Sequence, residues 1–336
     1  MDYVPNNPQS QPPRHPNALG GDTARKTRKS AIVDLSKHVL NNSDGSQSLL
    51  MQRKPPWIRA QLPSGADYQA IRDNMATHGL STVCQEASCP NIGDCWGRGT
   101  ATIMILGDTC TRSCGFCNVK TGKPEAPDYD EPARVGKSVA LMGLRHIVIT
   151  CVDRDDLYDG GALLWSETIR AVQEHAPDTS VEALVGDFKG NLADLVTVIN
   201  AKPDILAHNL ETVPRMHGAV RPQATYDRSM KVLVDINASG LVSKTGLMVG
   251  IGESDDEVLS TLEDIQKRAK TEIITIGQYL QPSRNHLPID RWVHPDQFEM
   301  YKEEGLKMGF RVVESGPLVR SSYHAEEQVL KMQQKI

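Results

Sequence analysis

Residues 83–119 read VCQEASCPNIGDCWGRGTATIMILGDTCTRSCGFCNV, and six of the chain's seven cysteines fall inside this stretch. Cys84, Cys89 and Cys95 are spaced C-x4-C-x5-C, and Cys110, Cys114 and Cys117 are spaced C-x3-C-x2-C. Thiolates are soft ligands suited to iron or zinc, and short spacers let one loop wrap one centre. Structural zinc wants four donors, and neither triplet offers a fourth nearby. A cubane iron–sulfur cluster has four irons, so three cysteines leave one iron open to a small molecule or to a residue from elsewhere in the chain. Between the triplets lies Thr102–Leu106, TIMIL, a continuous apolar run of the kind buried on both faces of a parallel sheet. The second triplet begins four residues after it, on the loop leaving that strand's carboxyl end.

Downstream the chain alternates between strand and helix patterns. His146–Cys151, Val181–Val185, Ile205–His208, Thr245–Val249 and Ile273–Ile276 bring the expected strands to six, with Arg311–Val313 as a candidate extra one. Between them, Ala162–Glu174 places Leu163, Ile169 and Val172 toward one face, and Val258, Leu259, Leu262 and Ile265 form a second stripe. Ser254 with Glu257 three residues on forms a capping box for that second helix. Pro295–Met308 is a last long helix. Six βα units with right-handed crossovers predict an open, partial barrel of the α/β class. Polar residues collect after the strands: Asp153 to Asp156, then Asn209 and Glu211, then Gly250 to Glu253, then Gln278, Gln281, Ser283 and Arg284. In a parallel barrel these ends share one rim, which is where a site is expected.

C-x3-C-x2-C with Phe116 before the last cysteine resembles the signature of the radical S-adenosylmethionine (SAM) superfamily. The upstream triplet, together with CTRSCGFC, VDRDDLYDGG, HNLETV, GLMVGIGE, GQYLQPSRNHLP and RSSYHA, resembles the lipoyl synthase family over roughly residues 50 to 330. The resemblance implies a partial (β/α)6 barrel of the radical SAM type with N- and C-terminal extensions. It implies two 4Fe-4S clusters and SAM as cofactors, with Cys110, Cys114 and Cys117 holding the cluster whose open iron chelates SAM. Cys84, Cys89 and Cys95 would hold an auxiliary cluster whose fourth ligand is a serine of Arg320-Ser321-Ser322-Tyr323. The spacing leaves open which hydroxyl binds; Ser322 is the favoured one, with Ser321 hydrogen-bonding instead. A serine oxygen is harder than a thiolate and matches iron less well, so an iron held that way is lost more easily. That suits a cluster consumed as sulfur source.

By the same resemblance, Gly160 and Gly161 form a turn near the amino group of SAM, where a plain helix-preceding turn is the alternative. Asn209, Glu211 and Arg284 are rim candidates for SAM or substrate. The implied reaction inserts sulfur at carbons 6 and 8 of an octanoyl chain on a lysine of a lipoyl carrier domain. Such hydrogens cannot be removed by an acid or base at neutral pH, so a radical and a closed site are required. Implied partners are octanoylated carrier domains of 2-oxoacid dehydrogenase acyltransferase subunits and of the glycine cleavage H protein, an electron donor such as flavodoxin or ferredoxin, and an iron–sulfur carrier protein.

The chain has 336 residues, 39% of them hydrophobic and 24% charged, enough for a large core. No apolar run approaches the roughly 18 residues of a membrane span, and no secretory signal is evident, so no membrane partner is expected. Clustered thiols need a reducing interior, which predicts the cytoplasm; a mitochondrial or plastid address is the alternative. Residues 1–60 carry nine Lys/Arg against four Asp, which within a net charge of −5 leaves about −10 for the rest. An acidic body without a basic stripe excludes nucleic-acid binding. The expected organisation is a largely disordered arm (1–48), an extension carrying the auxiliary cluster (49–100), the barrel (101–314) and a C-terminal extension (315–336). Trp57 and Ile58 are expected to pack against the body, and Cys151 to be a structural thiol. A biotin synthase-like enzyme would not need the upstream triplet. A non-catalytic iron–sulfur or zinc regulator would leave the βα units and RSSY unexplained.

Overall fold

The computed structural model describes residues 54–59, 66–86, 89–97, 100–283, 285–323 and 325–333. The expected disordered arm and the candidate Arg284 lie outside the described residues. Eight strands form one sheet in the order β1-β2-β5-β6-β7-β8-β9-β10. They are β1 (Ser81–Thr82), β2 (Ala101–Ile105), β5 (His146–Cys151), β6 (Ser180–Leu184), β7 (Ile205–Ala207), β8 (Val242–Val249), β9 (Ile273–Gln278) and β10 (Val312–Gly316). All neighbours from β2 to β10 are parallel, while β1 runs antiparallel to β2, with Ser81 opposite Met104. The order is linear, so the sheet is open between its two edges, as an incomplete barrel requires. All six expected strands are present, and the candidate extra strand is real: β10 pairs with β9 over its whole length.

Continuous apolar runs explain the central strands: every residue of β2 and β9 is buried. Helices cross behind them: α4 (Glu131–Met142), α5 (Ala162–His175), α6 (Leu192–Ile199), α8 (Tyr226–Ala238), α9 (Asp255–Arg268) and α10 (Pro295–Met308). Ser254 and Glu257 close the expected capping box on α9. One helix face differs from expectation. Leu163 of α5 is 51% exposed, while Leu164 and Trp165 are buried with Ile169 and Val172. Residues 165, 169 and 172 follow the i, i+4, i+7 spacing of one face, and Leu163 falls well off it.

Ahead of the barrel stand α1 (Ala66–Thr77) and two short helices, α2 (Val83–Glu86) and α3 (Ile92–Gly97), which carry Cys84 and Cys95. Tyr68 of α1 packs on the fully buried Trp96 of α3, ring centroids 5.0 Å apart. As expected, Ile58 is buried and Trp57 meets the His294 ring edge-on at 5.0 Å. A second, two-stranded parallel ribbon, β3 (Thr109–Cys110) with β4 (Lys120–Thr121), ties off the loop of the second cysteine triplet. Between α6 and α8, α7 (His217–Val220) is a single turn. The last helix, α11 (Ala325–Gln333), touches both β5 and β10. Val329 packs on Ile205, Ile273 and Val312 at the strands' amino ends. The last helix therefore packs at the barrel's floor, opposite the carboxyl rim.

Candidate active site

One cavity of about 500 Å³ occupies the barrel at the carboxyl ends of the strands. Cys110, Cys114 and Cys117 line it together with Cys84, Cys89, Ser321 and Ser322. Segments far apart in sequence therefore face the same space. Cys95 is not in that wall, but it lies close enough to Cys84 and Cys89 to feel their charge.

The Cys110–Cys117 loop is held from three sides. Backbone N–H groups of Arg112 and Asp153 donate to Cys110 Sγ at 3.4 and 3.3 Å. Gly115 N–H donates to the Val220 carbonyl at 2.9 Å, and Leu287 N–H donates to the Gly115 carbonyl at 3.0 Å. A Cβ at Gly115 would stand 2.8 Å from Leu287 Cδ1, so this loop position has no room for a side chain. Arg112, only 3% exposed, makes a two-pronged bond to Asp155 at 2.9 and 2.8 Å and a third to Asp187 at 2.6 Å. Burial works against its charge, but the hydrogen bonds and nearby carboxylates outweigh that and raise its pKa. Burial likewise disfavours ionised Asp187, yet Arg112 draws its pKa down to about 2. Asp153 is pushed up, by burial first, with Arg112 opposing.

The upstream triplet is organised differently. Cys89 N–H donates to the Cys84 carbonyl at 2.9 Å, and Cys95 N–H to the Asn91 carbonyl at 2.9 Å. The Asn91 side-chain amide donates to the Leu318 carbonyl at 2.6 Å, joining this triplet to the C-terminal extension. All six thiols have raised pKa values with burial as the largest cause: Cys84 and Cys117 to about 11, Cys114 to about 12, and Cys89, Cys95 and Cys110 upward. Buried thiols ionise when a cation replaces the proton, so this donor set fits bound iron. Among the described residues no three His, Cys, Asp or Glu side chains converge on one metal ion. Ligands of a polynuclear cluster sit on different irons and need no single meeting point.

Asn209 and Glu211 also line the cavity, and the Asn209 amide donates to Glu211 Oε1 at 3.0 Å. Glu211 has a left-handed backbone (φ 69), and burial raises its pKa against the pull of Arg221 and Arg320. Gly160 and Gly161 are not brought to the cavity wall. Both have positive φ and precede α5, where a Cβ would meet Phe188 and Leu106 respectively, so the turn itself accounts for them. Cys151 packs against the hydrophobic core and also lies in the wall.

Several residues at the site carry no assignment from sequence: the wall residues Arg112, His208, Arg221 and Arg320, and Asp187, which bonds to Arg112 behind the wall. Arg112 carried a signal, being a charged residue between two cysteines of the C-x3-C-x2-C triplet. Asp187 follows β6, a rim position absent from the polar residues that the sequence marks after the strands. His208 Nδ1–H donates to the Val185 carbonyl (2.9 Å), and burial holds its pKa down to about 4.

Comparison with known proteins places this geometry. The model of the radical SAM superfamily matches residues 104–265, and that of the N-terminal domain of lipoyl synthase matches residues 19–89. The mitochondrial lipoyl synthase of Nematostella vectensis is 50% identical over 82% of this chain and 95% of its own length. The chain belongs to the lipoyl synthase family. The Flavobacterium psychrophilum member of that family is 49% identical, covering 84% of this chain and 98% of the relative. The Rubrobacter xylanophilus member is 53% identical, covering 82% and 86%. Lipoyl synthase family membership makes the chain a radical SAM enzyme that uses SAM and 4Fe-4S clusters. Among the described residues no helix is long and apolar enough to cross a membrane.

Proposed function

We propose that the chain inserts two sulfur atoms into the octanoyl chain of a lipoyl carrier protein, replacing one hydrogen at carbon 6 and one at carbon 8. The observation that carries this reading is one cavity walled by Cys110, Cys114 and Cys117, by Cys84 and Cys89 of the upstream set, and by Ser321 and Ser322. Cys110, Cys114 and Cys117 would hold the SAM-binding cluster; Cys84, Cys89, Cys95 and Ser322 would hold the auxiliary one. When bound, these groups supply reductive cleavage of SAM to a hydrogen-abstracting radical and sulfide for the new carbon–sulfur bonds.

The protein's own residues arrange and enclose that chemistry. Arg112, tied to Asp155 and Asp187, fixes the Cys110–Cys117 loop on the rim. The N–H groups of Arg112 and Asp153, aimed at Cys110 Sγ, stabilise its thiolate. Glu211 and Asn209 face the same space and would contact SAM. Met104, Leu184, Leu247, Leu280 and Val319 give the cavity an apolar wall for an acyl chain, and this wall keeps water from reactive carbon. Residues 49–100 serve as the auxiliary-cluster extension and 315–336 as the segment completing it.

The carriers would be 2-oxoacid dehydrogenase acyltransferase subunits and the glycine cleavage H protein. A flavodoxin or ferredoxin would deliver electrons, and an iron–sulfur carrier would renew the auxiliary cluster, in the cytoplasm. The test is direct. Reconstituted, reduced protein is incubated with SAM and an octanoylated carrier, and the carrier is weighed. The expected product has gained two sulfurs as a dithiol, with two hydrogens lost once the thiols close to a disulfide in air; an unchanged carrier mass with continued SAM cleavage would refute the proposal.

A further inference from the structure

The return of the chain to the cavity depends on one absent side chain. β10 ends at Gly316, which stands opposite Gly277 of β9. Val319 N–H donates to the Gly316 carbonyl at 3.1 Å, so the backbone turns back over its neighbouring strand. Val319 and Arg320 then lie directly on Gly277. A Cβ at that position would overlap the Val319 carbonyl oxygen, approach its carbonyl carbon to 3.0 Å and reach 3.2 Å from Arg320 Nη1. Gly277 is not among the residues with positive φ, so its backbone does not demand glycine. Space alone does.

Gly277, Val319, Arg320, Ser321 and Ser322 share the cavity wall with Cys84 and Cys89. A second tie comes from the cysteine side. Asn91, 5% exposed and lying between Cys89 and Cys95, holds the Leu318 carbonyl at 2.6 Å. Beyond the crossing, Tyr323 N–H donates to the Arg320 carbonyl at 2.9 Å and Gln328 Nε2 to the Tyr323 carbonyl at 3.0 Å.

We infer that Gly277 is a positioning residue: its bare α carbon seats residues 318–322 on β9 and, with Asn91, sets where the serine hydroxyls stand relative to Cys84 and Cys89. The inference rests on the reading of a serine as iron ligand. Because the conflict at Gly277 is with backbone rather than with a rotatable side chain, an added methyl displaces the crossing itself. Metal–ligand distances tolerate only a few tenths of an ångström, so that displacement loosens the iron on that side.

The experiment uses the full chain, reconstituted anaerobically with iron and sulfide, and follows the rate of iron loss to a chelator. A double variant, Ser321→Ala with Ser322→Ala, sets the rate for a site with no serine ligand. G277A is expected to lose iron about tenfold faster or more than the unaltered chain, approaching the double variant. N91A should fall between the two. G316A, whose Cβ meets only a Val319 methyl at 3.3 Å, should stay within about twofold. Unaltered iron loss in G277A beside faster loss in the double serine variant would overturn the positioning role and leave the serine reading standing. Unaltered loss in the double variant would defeat the serine reading, and this inference with it. If G277A does not fold, N91A decides, since it adds no atoms; an unchanged rate there overturns the inference.

Discussion

The two cysteine triplets are close neighbours along the chain, with Cys95 only 15 positions before Cys110, yet they are built by different means. The Cys110–Cys117 loop leaves the end of β2, is tied off by the β3–β4 ribbon, and is anchored from neighbouring βα units through Asp153, Val220 and Leu287. The Cys84–Cys95 segment sits on short helices and is tied to the C-terminal extension. Asn91 meets Leu318 across 227 positions, and Thr100 Oγ1 meets Glu326 at 3.2 Å across 226. A site built on strand ends inherits the rigidity of the sheet. A site closed by the tail depends on the whole chain having folded first.

The largest expected effect breaks the sheet-anchored half. Cys114→Ala should abolish SAM cleavage, read as 5′-deoxyadenosine formation; an undiminished yield would remove Cys114 from the cluster. A smaller and more selective loss is expected on the other side. Cys89→Ala should stop sulfur insertion while SAM cleavage stays measurable. A lipoylated carrier made by that variant would end the auxiliary cluster's role as donor.

The acid response of the rim sharpens the comparison further. Burial holds His208 at about 4, below the ordinary 6.5, so the unfolded chain takes up its proton first. Its contribution to stability is therefore complete at neutral pH and is lost as pH falls from about 6.5 toward 4, at about 1.4 kcal/mol per pH unit. Denaturant unfolding at several pH values should show a shallower decline in His208→Gln than in the unaltered chain by roughly that slope. Equal slopes would mean that the imidazole is not buried neutral. Asp187, drawn to about 2, contributes stability that is present above its ordinary pKa of 3.8 and is lost only as pH falls toward 2, below this window.

The smallest effect is expected outside the barrel. Removing residues 1–45 should leave folding and turnover nearly unchanged, measured by circular dichroism and product mass. A large loss of solubility or rate would make the arm part of the tail-closed half.

Strand positions were readable because double burial writes an uninterrupted apolar run: β5 matches expectation to the residue, and β2 and β6 each shift by one. β8 was read three residues short, since it begins Val242-Ser243-Lys244. Lys244 is fully buried and paired with Glu182 on β6 at 2.8 Å, so a charged residue hid a core strand. β1, β3 and β4 are two residues long and carry no periodic signal. Among the site residues, ligand types and their spacing were local information. The electrostatic frame of Arg112, Asp155 and Asp187 was not, because nothing in composition says which acids will surround a given arginine.

The sequence by itself determined the two incomplete thiolate sets, the strand preceding one of them and the repeated βα order, all properties written within a few neighbouring residues. Only the tertiary structure decided that residues of both sets and the serines of the far extension share one cavity. Contacts across more than two hundred positions depend on the sheet's parallel register and on room left at Gly277 for the backbone to cross. Steric fit of that kind exists only once the strands stand side by side.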